Sequence, residues 1–125
     1  IPKGLTVCSN TLKNGDYSIK GFEDVICFER KNSDLFTYVA KDRDKTVAKM
    51  KRFKEMEFVG LVIEMRESDI LQHQEMSKVH PEVVRAALVS FEVRYGVHIY
   101  YGKPEDCARW LLDRAVKFYN VKKEV

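Results

Sequence analysis

Long apolar runs are missing from this chain of 125 residues, and none approaches the roughly 20 residues that a membrane-spanning helix requires. Cysteine is scarce. Cys8, Cys27 and Cys107 are odd in number and far apart, with no C-x-x-C spacing. That pattern argues against a disulfide framework and a structural zinc site, and it fits a reducing cytosolic setting. The histidines are as few: His73, His80 and His98 lack the grouping that zinc ligands need and read as structural. Repeats, low-complexity tracts and linker-like stretches are also absent, so residues 1–125 read as a single domain. The opening IPKGLTVCSN carries no signal-peptide pattern. What remains is 45% hydrophobic and 33% charged, a composition that folds, with a net charge of +3 that permits an anionic partner without demanding one.

Periodicity gives a coarse order of elements. GLTVCSNTL, residues 4–12, reads as a strand, followed by a turn at Lys13, Asn14 and Gly15. Tyr17 to Lys20 suits a short strand and Asp24 to Lys31 a longer one. Helical spacing begins with Leu35, Phe36, Val39 and Ala40, is interrupted by the polar KDRD at 41–44, and resumes with Val47, Met50 and Phe53. FVGLVIEM, residues 58–65, suits a buried strand, and residues 65–78 a loop with a helical turn. Pro81 starts a helix that Gly96 ends, Val97 to Tyr101 forms a strand, and Pro104 with Glu105 and Asp106 opens the last helix. Strands first, then alternating helices and strands, predict an α/β sandwich around a mixed sheet.

One strand ends unusually. The apolar Val25–Phe28 runs into Glu29, Arg30 and Lys31, three consecutive charges. Alternation puts Val25, Cys27, Glu29 and Lys31 on one face and Ile26, Phe28 and Arg30 on the other. An antiparallel hairpin could bring Asp16 beside Glu29, so two carboxylates and an ammonium would converge at the strand end. Hard oxygen ligands of this kind suit Mg²⁺ or Mn²⁺, and a nearby lysine can orient a water; this is chemistry for phosphodiester hydrolysis. Taken alone, an E-x-K strand end more commonly marks a solvated edge with a weak ion pair.

The order GD, short strand, ERK and then Asp-Leu resembles the nuclease domain of the XPF-type structure-specific endonucleases, of the restriction-endonuclease-like fold with its PD-(D/E)xK site. FVGLVIEM resembles that family's next core strand. SKVHPEVVRAALVSFEVRYGVHIYYGKPEDCARWL resembles its later segment, so the likeness covers residues 11 to 119. The resemblance implies a restriction-endonuclease-like sandwich, a central mixed sheet flanked by helices. It implies metal ligation by Asp16, Glu29 and the Arg30 carbonyl, with Lys31 positioning the attacking water and the Arg30 side chain supporting the site or touching phosphate. The expected activity is Mg²⁺- or Mn²⁺-dependent cleavage of branched or flap-like DNA, as in DNA repair. The expected location is the cytoplasm, nucleoid-associated, or the nucleus in a eukaryote. The family's last strand and helices form a dimer face, which implies a homo- or heterodimer through the C-terminal third. Two departures stand out. The family reads ERKxxxD where this chain has ERKNSDL, leaving Asp34 either a helix N-cap or a site member. The family's D-x-R-E strand has no counterpart, so the chain is expected to be a fragment or its site incomplete.

Other residues extend this reading. Lys45, Lys49 and Arg52, with Lys51 and Lys54 alongside, form an acid-free basic run that either meets a DNA backbone or is a solvated helix face. Glu64 in its apolar strand needs a partner, a metal or, in preference, an arginine. Tyr100, Tyr101, Trp110 and Phe118 read as core or interface groups. Besides the nuclease, three alternatives stand: a catalytically impaired module that binds DNA or a partner nuclease, a junction-resolvase or restriction enzyme on the same fold, and a structural module without a nucleic-acid role.

Overall fold

The structure, a computed structural model, describes residues 4–9, 12, 14–70 and 79–124. Three strands make the central ladder: β3 (Ile26–Lys31), β4 (Phe58–Ile63) and β5 (His98–Tyr101), parallel throughout and ordered β3-β4-β5. A small antiparallel pair, β1 (Val7–Cys8) with β2 (Ser18–Ile19), joins the free edge of β3 through a bridge between Tyr17 and Phe28. The arrangement is therefore mixed. Parallel strands need crossovers, and two helices supply them: α1 (Arg43–Phe53) between β3 and β4, and α3 (Pro81–Tyr95) between β4 and β5. A four-residue turn, α2 (Glu67–Ile70), precedes α3, and α4 (Pro104–Lys123) closes the chain.

Strand alternation divides the core in two. Cys27, Leu61 and Ile63 face α1 and α3, where they meet Met50, Phe53, Val84, Leu88 and Phe91. Ile26 and Phe28 face the other way, onto Leu111, Ala115 and Tyr119 of α4. Helices thus cover both faces of the sheet, as parallel strands require.

The boundary residues behave as their chemistry dictates. Pro81 and Pro104 occupy the first turns of α3 and α4, and Gly96 ends α3 in a left-handed conformation at φ 67°. The His80 imidazole caps α3, with Nδ1 accepting from the Glu82 amide at 3.1 Å. No helix among the described residues is long and apolar enough to cross a membrane.

Three expectations from the sequence change. The first strand is only Val7–Cys8; Asn10, Thr11 and Lys13 lie outside the described residues, as do His73 and residues 71–78 of the expected loop. Asp24 and Val25 are not strand, because the Val25 and Ile26 amides fold back onto the Phe22 carbonyl in a turn. The helix expected from Leu35 opens into a π-turn at Thr37–Lys41 before α1 begins. That extra width rotates the following helix, so Thr46, at 2% exposure, takes the buried position expected of Val47.

Gly60 of β4 allows the closest approach between sheet and helix. A Cβ there would lie 2.7 Å from a Phe28 ring carbon and 2.9 Å from Trp110. Both are rings locked in a packed layer, Phe28 edge-on to Trp110 at 6.5 Å. Gly60→Ala is expected to destabilise the protein by about 1–3 kcal/mol through overpacking, measured by urea unfolding. An unchanged midpoint would mean that Trp110 and α4 yield without cost.

Candidate active site at the charged end of β3

The site grows out of the turn before β2. Gly15 sits at φ 74°, and a Cβ on it would come within 3.1 Å of both the Cys27 Cβ and the Phe28 carbonyl oxygen. Only glycine fits that left-handed turn pressed against β3. The turn then docks: the Asp16 and Tyr17 amides both donate to the Phe28 carbonyl, at 2.8 and 3.0 Å, and the Phe28 amide donates back to Tyr17. With the backbone fixed, the Asp16 carboxylate reaches along the open edge of β3 and accepts from the Arg30 amide at 2.9 Å.

Glu29 points to the α1 side and is 2% exposed. A carboxylate so buried is costly unless it is paired and hydrogen-bonded. Both requirements are met on one oxygen: Glu29 Oε2 accepts from the Tyr38 hydroxyl at 2.8 Å and from the Lys49 ammonium at 3.0 Å. Tyr38 belongs to the π-turn, and the Thr46 hydroxyl of α1 donates to its carbonyl oxygen. Burial, then the charge of Glu29, hold the Tyr38 phenol far above its ordinary pKa, so it remains a donor. The same two causes, in the same order, push the Cys27 thiol up to about 12.

Lys31 lies beyond Glu29 on the same face, its ammonium 4.3 Å from the centre of the Tyr38 ring and 3.5 Å from Asp34 Oδ2. Asp34 also accepts from the Asn32 amide at 2.8 Å. Its carboxylate is therefore turned back onto the strand end and paired with Lys31. Arg30, on the opposite face, donates through Nε to Glu64 at 3.0 Å. Its guanidinium pKa is raised by the Tyr17 side chain first and by Glu64 next. Glu64 has thus found an arginine. An open recess of about 280 Å³ lined by Asp16, Tyr17, Arg30 and Asp34 lies along this edge.

The basic run of α1 does not act as one stripe. Lys49 turns inward to Glu29, and the Arg52 Nε donates to Asn14 Oδ1 at 3.1 Å, tying α1 to the turn that carries Asp16. Lys45, Lys51 and Lys54 are exposed. Among the expected core or interface aromatics, Tyr100 stacks on Trp110 at 5.6 Å, Phe118 meets Phe22 edge-on, and Tyr101 packs against the α3 side of the core. His98 stacks on Phe58 at 4.3 Å.

Two residues of the site, Tyr38 and Thr46, escape a reading of the sequence. Tyr38 is adjacent to Val39 in the apolar spacing, which hides its hydroxyl among core positions, and Thr46 carries no signal that distinguishes it from an exposed helical residue. By donor chemistry Asp16 and Glu29 suit a hard divalent cation. Among the described residues, however, no group of three or more His, Cys, Asp or Glu side chains could hold a metal, and Glu29 Oε2 already has two donors.

A three-stranded parallel ladder with helices on both faces, and an Asp, a Glu and a Lys at one strand end, define an α/β domain with a charged candidate site. XPF from Aeropyrum pernix shares the fold with a TM-score of 0.63 at 19% identity, over 86% of this chain and 47% of that one. A second structure, XPF from Aeropyrum pernix in complex with DNA, gives 0.60 at 18% identity, over 90% of this chain and 52% of that one. The chain spans about half the length of these relatives. Curated proteins yield no match. The ERCC4 domain model matches residues 2–113, and the chain belongs to that family.

Tyr38→Phe keeps the ring that packs against Phe91 and removes the hydroxyl that serves Glu29. It is expected to cost about 1–3 kcal/mol in urea unfolding, the range for a buried polar group that loses a partner. A cost below about 0.5 kcal/mol, the level of an ordinary surface substitution, would mean that Lys49 alone sustains Glu29.

Proposed function

We propose that this chain is a nuclease domain that hydrolyses DNA phosphodiester bonds with Mg²⁺ or Mn²⁺, on branched or flap-like duplexes. The observation that carries the reading is the Tyr17–Phe28 bridge, which delivers the Asp16 carboxylate to the Arg30 amide beside Glu29 and Lys31. Membership of the ERCC4 domain family supports it, and so does the structural relative in complex with DNA.

Asp16 and Glu29 would hold the cation, with the Arg30 carbonyl as a third oxygen. A bound divalent cation supplies a water of lowered pKa and offsets charge on the phosphoryl oxygens. Lys31, restrained by Asp34 and the Tyr38 ring, would orient the attacking water or a phosphate oxygen. Arg30 and the exposed Lys45, Lys51 and Lys54 contribute positive charge toward the backbone of the nucleic acid.

A second reading is favoured by one observation. Because Glu29 Oε2 is already satisfied by Lys49 and Tyr38, the domain could bind DNA or a partner nuclease without cutting.

A nicking assay on a flap duplex with Mn²⁺ separates the two. The parent is expected to cut. Glu29→Gln should retain the fold, since a carboxamide oxygen still accepts from Tyr38, and lose metal-dependent cleavage. Lys31→Ala should slow the chemical step by about 10²- to 10⁴-fold, the range for a positioned acid–base group. Cleavage by Glu29→Gln at the parental rate would remove Glu29 from the reaction, and a parent that binds without nicking would favour the second reading. For binding, replacing Lys45, Lys51 and Lys54 with Ala should lower the slope of log K against log[salt] by up to about 0.9 for each phosphate no longer neutralised. Equal slopes would assign these lysines to solvent.

A further inference from the structure

Glu29 already carries a cation. Lys49 places its ammonium 3.0 Å from Oε2, the same oxygen that takes the Tyr38 hydroxyl, and the pair is sheltered, with the lysine side chain 25% exposed and the glutamate 2%. This is no chance surface pairing. Lys49 precedes Met50 on a helix anchored by Met50 and Phe53 in the core and by Thr46 on the Tyr38 carbonyl, so the fold fixes its reach. Of the other lysines on this side, Lys31 is committed to Asp34 and Lys45 is exposed. A small recess of about 120 Å³ opens beside the pair, lined by Lys31, Tyr38, Asp42, Lys45, Thr46 and Lys49. Asp42 offers an exposed carboxylate there.

We infer that Lys49 is a resident counter-ion which a divalent cation must displace from Glu29, so that metal uptake and release of Lys49 toward Asp42 are a single event. The inference rests on the reading of Glu29 as a metal ligand. An ammonium and a divalent cation cannot share one buried oxygen without strong like-charge repulsion, because the low dielectric that strengthens the Lys49–Glu29 pair strengthens that repulsion too. Displacement by linkage is reciprocal: whatever Lys49 contributes to Glu29 in the metal-free protein is subtracted from metal affinity.

Two measurements test this with Mn²⁺ as the probe. In calorimetric titration Lys49→Met, which keeps the apolar stem and removes the charge, should bind Mn²⁺ about five- to 150-fold more tightly than the parent, the usual span of a coupling between two ligands. In the parent, reductive methylation followed by mass spectrometry should show Lys49 modified several-fold faster with Mn²⁺ than without it. Lys122, paired with Glu57 away from the site, serves as the internal standard. Mn²⁺ binding that is equal or weaker in Lys49→Met, or a methylation rate at Lys49 that ignores the metal, overturns the inference. If Lys49→Met does not fold, the methylation rate in the parent decides alone. Glu29→Gln separates the two layers. Parental Mn²⁺ binding that this variant abolishes supports Glu29 as a ligand even if Lys49 proves immobile, whereas no Mn²⁺ binding by the parent overturns both.

Discussion

The buried carboxylate of Glu29 is the constraint around which the β3 end is built. A charge at 2% exposure has to be matched by donors that the fold holds in place, and three separate groups are committed to that task. The π-turn supplies the Tyr38 hydroxyl, α1 supplies the Lys49 ammonium, and Thr46 ties the two together through the Tyr38 carbonyl. Removing Tyr38 or Lys49 takes one of its two donors from Glu29, and removing Thr46 loosens the turn that aims Tyr38. Retaining so expensive a group at a strand end, where a neutral side chain would pack with less cost, is what separates this site from an ordinary solvated edge.

The two sides of β3 divide the labour. On the α1 side, Cys27, Glu29 and Lys31 run from apolar core to charged rim, with only Lys31 open to water. On the α4 side, Ile26 and Phe28 are sealed by Leu111 and Ala115, and Arg30 emerges to meet Glu64. The Asp16 carboxylate belongs to neither face; it arrives along the edge of the sheet through the bridge to Phe28. Three directions of approach thus meet within a few residues of one strand, whose own backbone is held by the ladder to β4 and the bridge to Tyr17.

Much of this geometry is legible in the amino-acid order. Period-two alternation assigns Cys27, Glu29 and Lys31 to one face whatever the rest of the chain does, and Pro81, Gly96 and Pro104 mark helix ends because their backbone chemistry admits little else. Hairpin reach puts Asp16 near the strand. The remainder depends on departures from ideal periods and on distant pairings. A π-turn breaks the 3.6-residue spacing, so a reading that assumes it buries Val47 in place of Thr46. Lys49 looks like one of several surface lysines, because its partner is on a strand and is recognisable only once α1 has been packed against that strand. Asp34 is ambiguous for a related reason: an N-cap and a partner for Lys31 look alike until the loop closes.

The π-turn has a further consequence. Between Lys31 and Lys49 the chain behaves as an arm of fixed count, anchored at β3 and returning to it. Each residue in a helix turns the face by about 100°, so dropping one residue from Thr37–Lys41 would swing Thr46 and Lys49 out of register with Tyr38 and Glu29. In this chain, length constrains the segment more tightly than the identity of its outer residues. A substitution on its outer surface leaves that register unchanged, whereas a single-residue insertion or deletion re-aims the helix and parts Lys49 from Glu29.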